Sequence, residues 1–177
     1  MKATELTTAN SKLESFFNTM LQEIYWSETQ LVNVLTTMRD ASTTATLKDC
    51  FSTHIKQTNT HIKRLQEVFT LLNQPAQAEP SVGLQGLFDE GWQVIDETEE
   101  GSAQRDVALI IAAQKVEHYE IACYGSLATL ARTLGWKQIA KVLEVTLSEE
   151  KETDSLLTEI AKKNINYQAS KEPVEEL

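Results

Sequence analysis

The chain has 177 residues, 41% hydrophobic and 24% charged, with a formal net charge of -10. That length supports one domain with a sizeable core and is short for two, and the composition is that of a folded globule. The negative balance argues against nucleic acid and against an anionic membrane surface as direct partners, since both repel an acidic protein.

The N-terminal MKATELTTANSK lacks the apolar stretch of a secretion signal, and no apolar run approaches a membrane span. A cytoplasmic protein is expected, with Cys50 and Cys123 as reduced thiols inside helices. The first helical pattern covers about residues 11–39, where Leu13, Phe17, Met20, Leu21, Ile24, Leu31, Leu35 and Met38 recur at helical steps. DASTTA (40–45) reads as a short turn whose hydroxyls can cap a second helix over about 44–72. NQPAQAEP (73–80) breaks the pattern with two prolines. A shorter amphipathic helix follows over 81–99, and Ser102 is placed to cap the next one. The third long helix is expected over 103–134, closed by Gly135, and the fourth over 136–164. The expected division is a single bundle over 1–165 and a flexible acidic tail over 166–177.

Short turns make two antiparallel pairs of long helices. A connection of roughly thirty residues lets the chain travel back along the bundle, since a helix of that length spans about 45 Å. The expected fold class is all-α: a ferritin-like four-helix bundle with one long crossover containing a short extra helix. A weak repeat at an offset of 92 residues agrees with a two-fold bundle, aligning Glu28 with Glu120, Phe51 with Leu143, Leu65 with Leu157 and Val68 with Ile160.

Polar residues interrupt every buried seam. The breaks are Glu28 on the first long helix, His54, Thr58 and His61 on the second, Glu117 and Glu120 on the third, and Thr146, Glu150 and Thr153 on the fourth. Counted from the turns, Glu28 and Gln57 lie about 14 residues on either side of the first. Glu120 and Glu150 lie 15 on either side of Gly135, and Glu117 and Asp154 lie 18 and 19 away. Fifteen residues are about 22 Å, half a helix, so the breaks are expected to meet at one level. His54 fits that level slightly better than His61, which is read either as a cap on the site or as a partner of Tyr25. Tyr25 and Tyr124 flank the level as hydrogen-bonding partners of the carboxylates or as core fillers. His118 lies off the seam.

Several ionised carboxylates cannot share an apolar core unaided, because each is costly to desolvate and they repel one another. Bound cations, retained protons or water are the remedies. A lone buried glutamate is more simply read as half of an ion pair. Four aligned helices point instead to metal, because carboxylates with one or two imidazoles are the ligands of iron or manganese pairs. The candidate ligands are Glu28, His54, Gln57, Glu117, Glu120, Glu150 and Asp154.

These residues, with AAQKVEHYEIACYGSL (112–127), LSEEKETDSLLTEIA (147–161) and HIKRLQEVF (61–69), resemble the YciE/YciF family of ferritin-like bacterial stress proteins over about residues 16–161. The resemblance implies a rubrerythrin-like bundle, usually a dimer, produced in general stress. By analogy, Glu28, Glu117, Glu120 and Glu150 take the places of di-iron carboxylates. Rubrerythrin-like sites carry Glu-x-x-His on the second and fourth helices. Here the fourth offers Glu150-x-x-Thr153, with Asp154 next to it, and the second offers Gln57 where the family pattern suggests glutamate. Two functions are therefore expected to compete. One is a homodimeric metal protein, iron or manganese, with oxygen or peroxide chemistry. The other is a non-enzymatic dimeric bundle whose metal site has degenerated and holds no metal.

Overall fold

The computed structural model describes residues 11–173. Helix α1 (Lys12–Ala41) begins where Ser11 Oγ accepts the Glu14 N–H at 3.1 Å. Thr44, Ser81 and Ser102 do the same for α2 (Ala45–Leu71), α3 (Val82–Glu97) and α4 (Ala103–Thr133). Each hydroxyl satisfies an N–H that the first helical turn leaves unpaired. Helix α5 (Lys137–Ile160) follows Gly135, whose φ of 82° lets the Trp136 N–H return to the Ala131 carbonyl at 2.8 Å. Asn73, at φ 55°, closes α2 in the same way, with the Gln74 N–H on Phe69 O at 2.9 Å.

Beyond α5 the helical path continues. It passes through a π turn (Ala161–Ile165) into a short α6 (Asn166–Ala169), with Ile165 buried. The Glu172 carboxylate then accepts the N–H groups of Ala103 and Gln104 at 2.5 and 2.9 Å. A negative group at a helix N-terminus meets both free donors and the positive end of the helix dipole. The helical body thus extends past residue 165, and an acidic side chain expected in a flexible tail caps α4. Residues 174–177 of that tail lie outside the described residues.

The four long helices form a square. Helix α1 packs against α2 and α4, and α5 packs against the same two. Helix α3, inside the crossover, lies on α4 and α1. Gly83 permits its close start on α4, because a Cβ there would sit 2.8 Å from the Tyr119 ring. At the α1–α2 turn the buried Asp106 of α4 accepts the Thr43 and Thr44 N–H groups at 2.6 and 2.9 Å.

The core divides in two along the bundle axis. One apolar cluster gathers Leu31, Leu35, Leu47, Phe51, Leu109, Ile110 and Leu157; the other gathers Phe17, Leu21, Ile24, Leu65, Phe69, Leu127 and Leu143. Between them lies a buried polar layer of Ser27, Glu28, His54, Thr58, His61, Glu117, Glu120, Thr146, Glu150 and Thr153. The seam breaks do meet at one level.

Candidate metal centre

Each long helix delivers its ligands by helical spacing. Glu117 and Glu120 stand one turn apart on α4, and His54 and His61 two turns apart on α2, so each pair faces the same way. Glu28 enters from α1 and Glu150 from α5. All six residues are buried, none more than 1% exposed.

Glu150 stands between the two imidazoles. Its Oε1 lies 2.9 Å from His61 Nδ1 and its Oε2 3.8 Å from His54 Nε2. Glu117 Oε1 is 3.1 Å from His54 Nε2, and Glu28 Oε1 is 3.3 Å from His61 Nδ1. The Tyr124 hydroxyl donates to Glu28 Oε1 at 2.5 Å. Two sets of ligand atoms result, each lying within 4.8 Å of one another: His54, Glu117, Glu120 and Glu150, and Glu28, His61 and Glu150. Glu150 belongs to both.

These imidazole–carboxylate contacts are at ion-pair distance but do not have hydrogen-bond geometry. Glu28 Oε2, His54 Nε2, His61 Nδ1, Glu117 Oε2, both oxygens of Glu120 and both of Glu150 are buried with no hydrogen-bond partner. Native interiors rarely leave such atoms unsatisfied. Eight of them directed at one small volume fit a cation: hard oxygens and two ring nitrogens are donors that iron or manganese accepts. The charges agree, since four carboxylates balance two divalent ions. Cys50 is no ligand in this set; burial, then the nearby Glu117, pushes its thiol up to about 11.

Without cations the layer is held by protons. Burial opposes charge on His54, but Glu117 and then Glu150 outweigh it and lift the imidazole to about 9. Burial likewise opposes charge on His61, and the close Glu150 and Glu28 carboxylates lift it to about 11. Burial raises Glu150 to about 7 against the pull of His61. Glu120 is raised well above the ordinary carboxylate range, by burial and then by Glu28, Glu150 and Glu117. Burial and Glu28 likewise raise the Tyr124 hydroxyl, so it stays a donor.

The other sequence candidates fall around the cluster. Gln57 is half-buried beside it, with Oε1 3.5 Å from His54 Nδ1. Asp154 faces away and pairs with His118 Nε2 at 3.2 Å and Gln114 Nε2 at 3.0 Å. Depth counting gives the level along a helix but not the direction. At about 100° per residue, Asp154 lies roughly 70° off the seam of Thr146, Glu150, Thr153 and Leu157. Thr153, at the histidine position of Glu-x-x-His, meets His54 Nδ1 at 3.4 Å, so the imidazole at this corner comes from α2 across the bundle. His61 is central rather than a cap, and its partner is not Tyr25, whose hydroxyl accepts from Gln66 at 3.0 Å. Sequence reasoning missed Glu149 and Arg64. Glu149 Oε2 lies 2.8 Å from His61 Nε2, and Arg64 grips the same carboxylate with two bonds of 2.6 and 2.9 Å. The Arg64 bonds are the leading cause that holds Glu149 below the ordinary range.

Residues 12–170 match the family described as a domain of unknown function, DUF892. Protein YciF of Escherichia coli strain K12 is 42% identical over 158 residues, which is 89% of this chain and 95% of that protein. The chain belongs to the YciF family. The crystal structure of the E. coli stress protein YciF superposes with a TM-score of 0.82 at 41% identity, covering 91% of this chain and 99% of that one. YcfI of Rhodopseudomonas palustris superposes at 0.81 with 31% identity, covering 86% and 97%. The family bundle is thus the fold of this chain, and its homologue is a stress protein. Among the described residues no helix is long and apolar enough to cross a membrane.

Proposed function

We propose that this chain is a ferritin-like stress-response protein holding two divalent cations, iron or manganese, side by side in its bundle. The supporting observation is the set of eight buried ligand atoms, none of them in a hydrogen bond, converging from four helices, with Glu150 common to both groups. His54, Glu117, Glu120 and Glu150 would hold one ion, and Glu28, His61 and Glu150 the other. A redox-active metal pair, when held there, would supply electrons to oxygen or peroxide. The chain's own part is to bind, to exclude water with the two apolar clusters, and to hold a proton at Tyr124 Oη against Glu28. The variant Glu120→Ala/Glu150→Ala should lose stoichiometric Fe(II) or Mn(II) binding in anaerobic titration; unchanged binding would sink the reading.

A second reading is favoured by the pairing of each imidazole with carboxylates at 2.9–3.3 Å. In it the bundle is a metal-free structural or interaction protein. Two imidazolium ions against four carboxylates leave two negative charges, which retained protons must cancel; two cations cancel all four without them. Either reading includes a cytoplasmic homodimer. The groove of Phe16, Met20, Ile121 and Leu130 between α1 and α4 supports a second copy as partner, and sedimentation velocity tests this.

A further inference from the structure

The two buried imidazoles are held in different ways. His54 has only distant neutral neighbours on Nδ1: Thr153 Oγ1 at 3.4 Å and Gln57 Oε1 at 3.5 Å. Its ring also borders a small pocket of about 130 Å³ between α2 and α5, lined by Cys50, Thr53, Gln57 and Thr153 among others. His61 is gripped. Its Nε2 meets Glu149 Oε2 at 2.8 Å, and Arg64 fixes that carboxylate with Nη1 on Oε2 and Nη2 on Oε1. Arg64 Nη1 also reaches Thr146 Oγ1 at 3.3 Å.

We infer that Glu149, clamped by Arg64, is a positioning residue that makes Nδ1 of His61 the nitrogen offered to a cation beside Glu28 and Glu150. The inference rests on the two-cation reading above. An ionised carboxylate only accepts hydrogen bonds, so it demands an N–H at Nε2. The neutral ring has one N–H, and its lone pair then falls on Nδ1, which already faces Glu28 Oε1 and Glu150 Oε1. Flipping the ring would turn a carbon towards Glu149 and leave that carboxylate's Oε2 with Arg64 alone. Arg64 cancels the charge of Glu149, so the clamp orients the ring without adding to the negative layer. Because Glu149 and Glu150 are consecutive on α5, one helix turn fixes the ring from outside and supplies a ligand inside. At the repeat offset of 92, Gln57 occupies the position equivalent to Glu149. Each hairpin thus places an acceptor behind the other hairpin's site or its own imidazole, but only the second carries a charge. The Glu28–His61–Glu150 corner is the pre-set half of the site.

The test uses the full-length protein and zinc(II) as a diamagnetic probe. Calorimetric titration should show Glu149→Ala binding one of two zinc equivalents about 10–100-fold more weakly, the usual effect of losing an outer partner of a ligand histidine. The other equivalent should keep its wild-type affinity. Glu149→Gln, which retains an acceptor oxygen, should restore most of the loss. In ¹⁵N-histidine spectra of the zinc-loaded wild type, His61 should carry its proton on Nε2 and metal on Nδ1. A merely structural role for Glu149 would lower the melting temperature of Glu149→Ala and leave both affinities unchanged; that result overturns the inference while the two-cation reading stands. Zinc on Nε2 overturns it equally. A wild-type protein that takes up no zinc, Mn(II) or Fe(II) overturns both, and is seen before any variant is made.

Discussion

Replacing Glu120 by glutamine should make the metal-free protein more stable and the site a poorer host for cations. The Glu120 carboxylate is fully buried, and it lies within 4.8 Å of ligand atoms of Glu117 and Glu150. At that distance and an effective dielectric of ~20, each like-charged neighbour opposes ionisation by about 3.5 kcal/mol, and the equally close His54 imidazolium offsets about one of the two. Desolvation adds several kcal/mol. Keeping a proton at pH 7.5, three units above the ordinary value of 4.5, costs about 4 kcal/mol. Protonation is therefore the lower-energy state, and the wild-type chain must take up a proton there in order to fold. Glutamine needs none. The ceiling on its benefit is about 4 kcal/mol, and the extra amide hydrogen to be accommodated lowers that to about 1–4 kcal/mol. For a chain of this size the melting temperature in EDTA should rise by about 2–16 °C. Mn(II) affinity should fall by at least ~10-fold, because a neutral amide replaces an anionic ligand. Differential scanning fluorimetry and calorimetric titration read the two effects. A lower melting temperature, or undiminished Mn(II) affinity, would refute the reasoning.

The pH dependence of stability should weaken when metal is bound. Folded-state pKa values of Glu120, His54 and His61 are all raised, so their protons stabilise the metal-free fold fully below the unfolded values. That contribution is lost as pH rises, and in EDTA the melting temperature should fall between pH 6.5 and 9. Cations displace the same protons, so the stabilisation added by Mn(II) should grow over that range; parallel pH profiles would contradict this. Tyr124→Phe keeps the buried ring but removes the hydroxyl from Glu28, and should cost about 1.5–3 kcal/mol, read as a melting temperature lower by about 3–12 °C. Asp106→Ala removes two backbone bonds at the α1–α2 turn and should destabilise by about 2–5 kcal/mol in urea titration, with Mn(II) stoichiometry unaltered.

The bundle was legible because its seams are long. Helix after helix repeats apolar residues at steps of three and four, and the serine and threonine caps and Gly135 stand where local chemistry puts them. The polar layer was legible for the same reason: Glu28, Glu117, Glu120 and Glu150 interrupt seams that are otherwise apolar. Asp154 misled because residue counting fixes depth and leaves rotation about the helix open. Glu149 and Arg64 left no such trace. They sit half-exposed beside the seam, where a charged residue ordinarily needs no explanation, and only the approach of α2 to α5 reveals what they hold. Glu172 was hidden likewise, since its partners, the first N–H groups of α4, lie 69 and 68 residues away in the chain.

The central claim is that two cations share Glu150, and electron paramagnetic resonance of the Mn(II)-loaded protein tests it most directly. Untagged protein, stripped of metal and titrated anaerobically, should take up two Mn(II) per chain and give the spectrum of an exchange-coupled pair. In Glu150→Ala the coupled signal should vanish. A wild-type protein that retains no manganese, or that shows only the six-line spectrum of isolated ions at every loading, would contradict the account and leave the proton-held bundle as the better description.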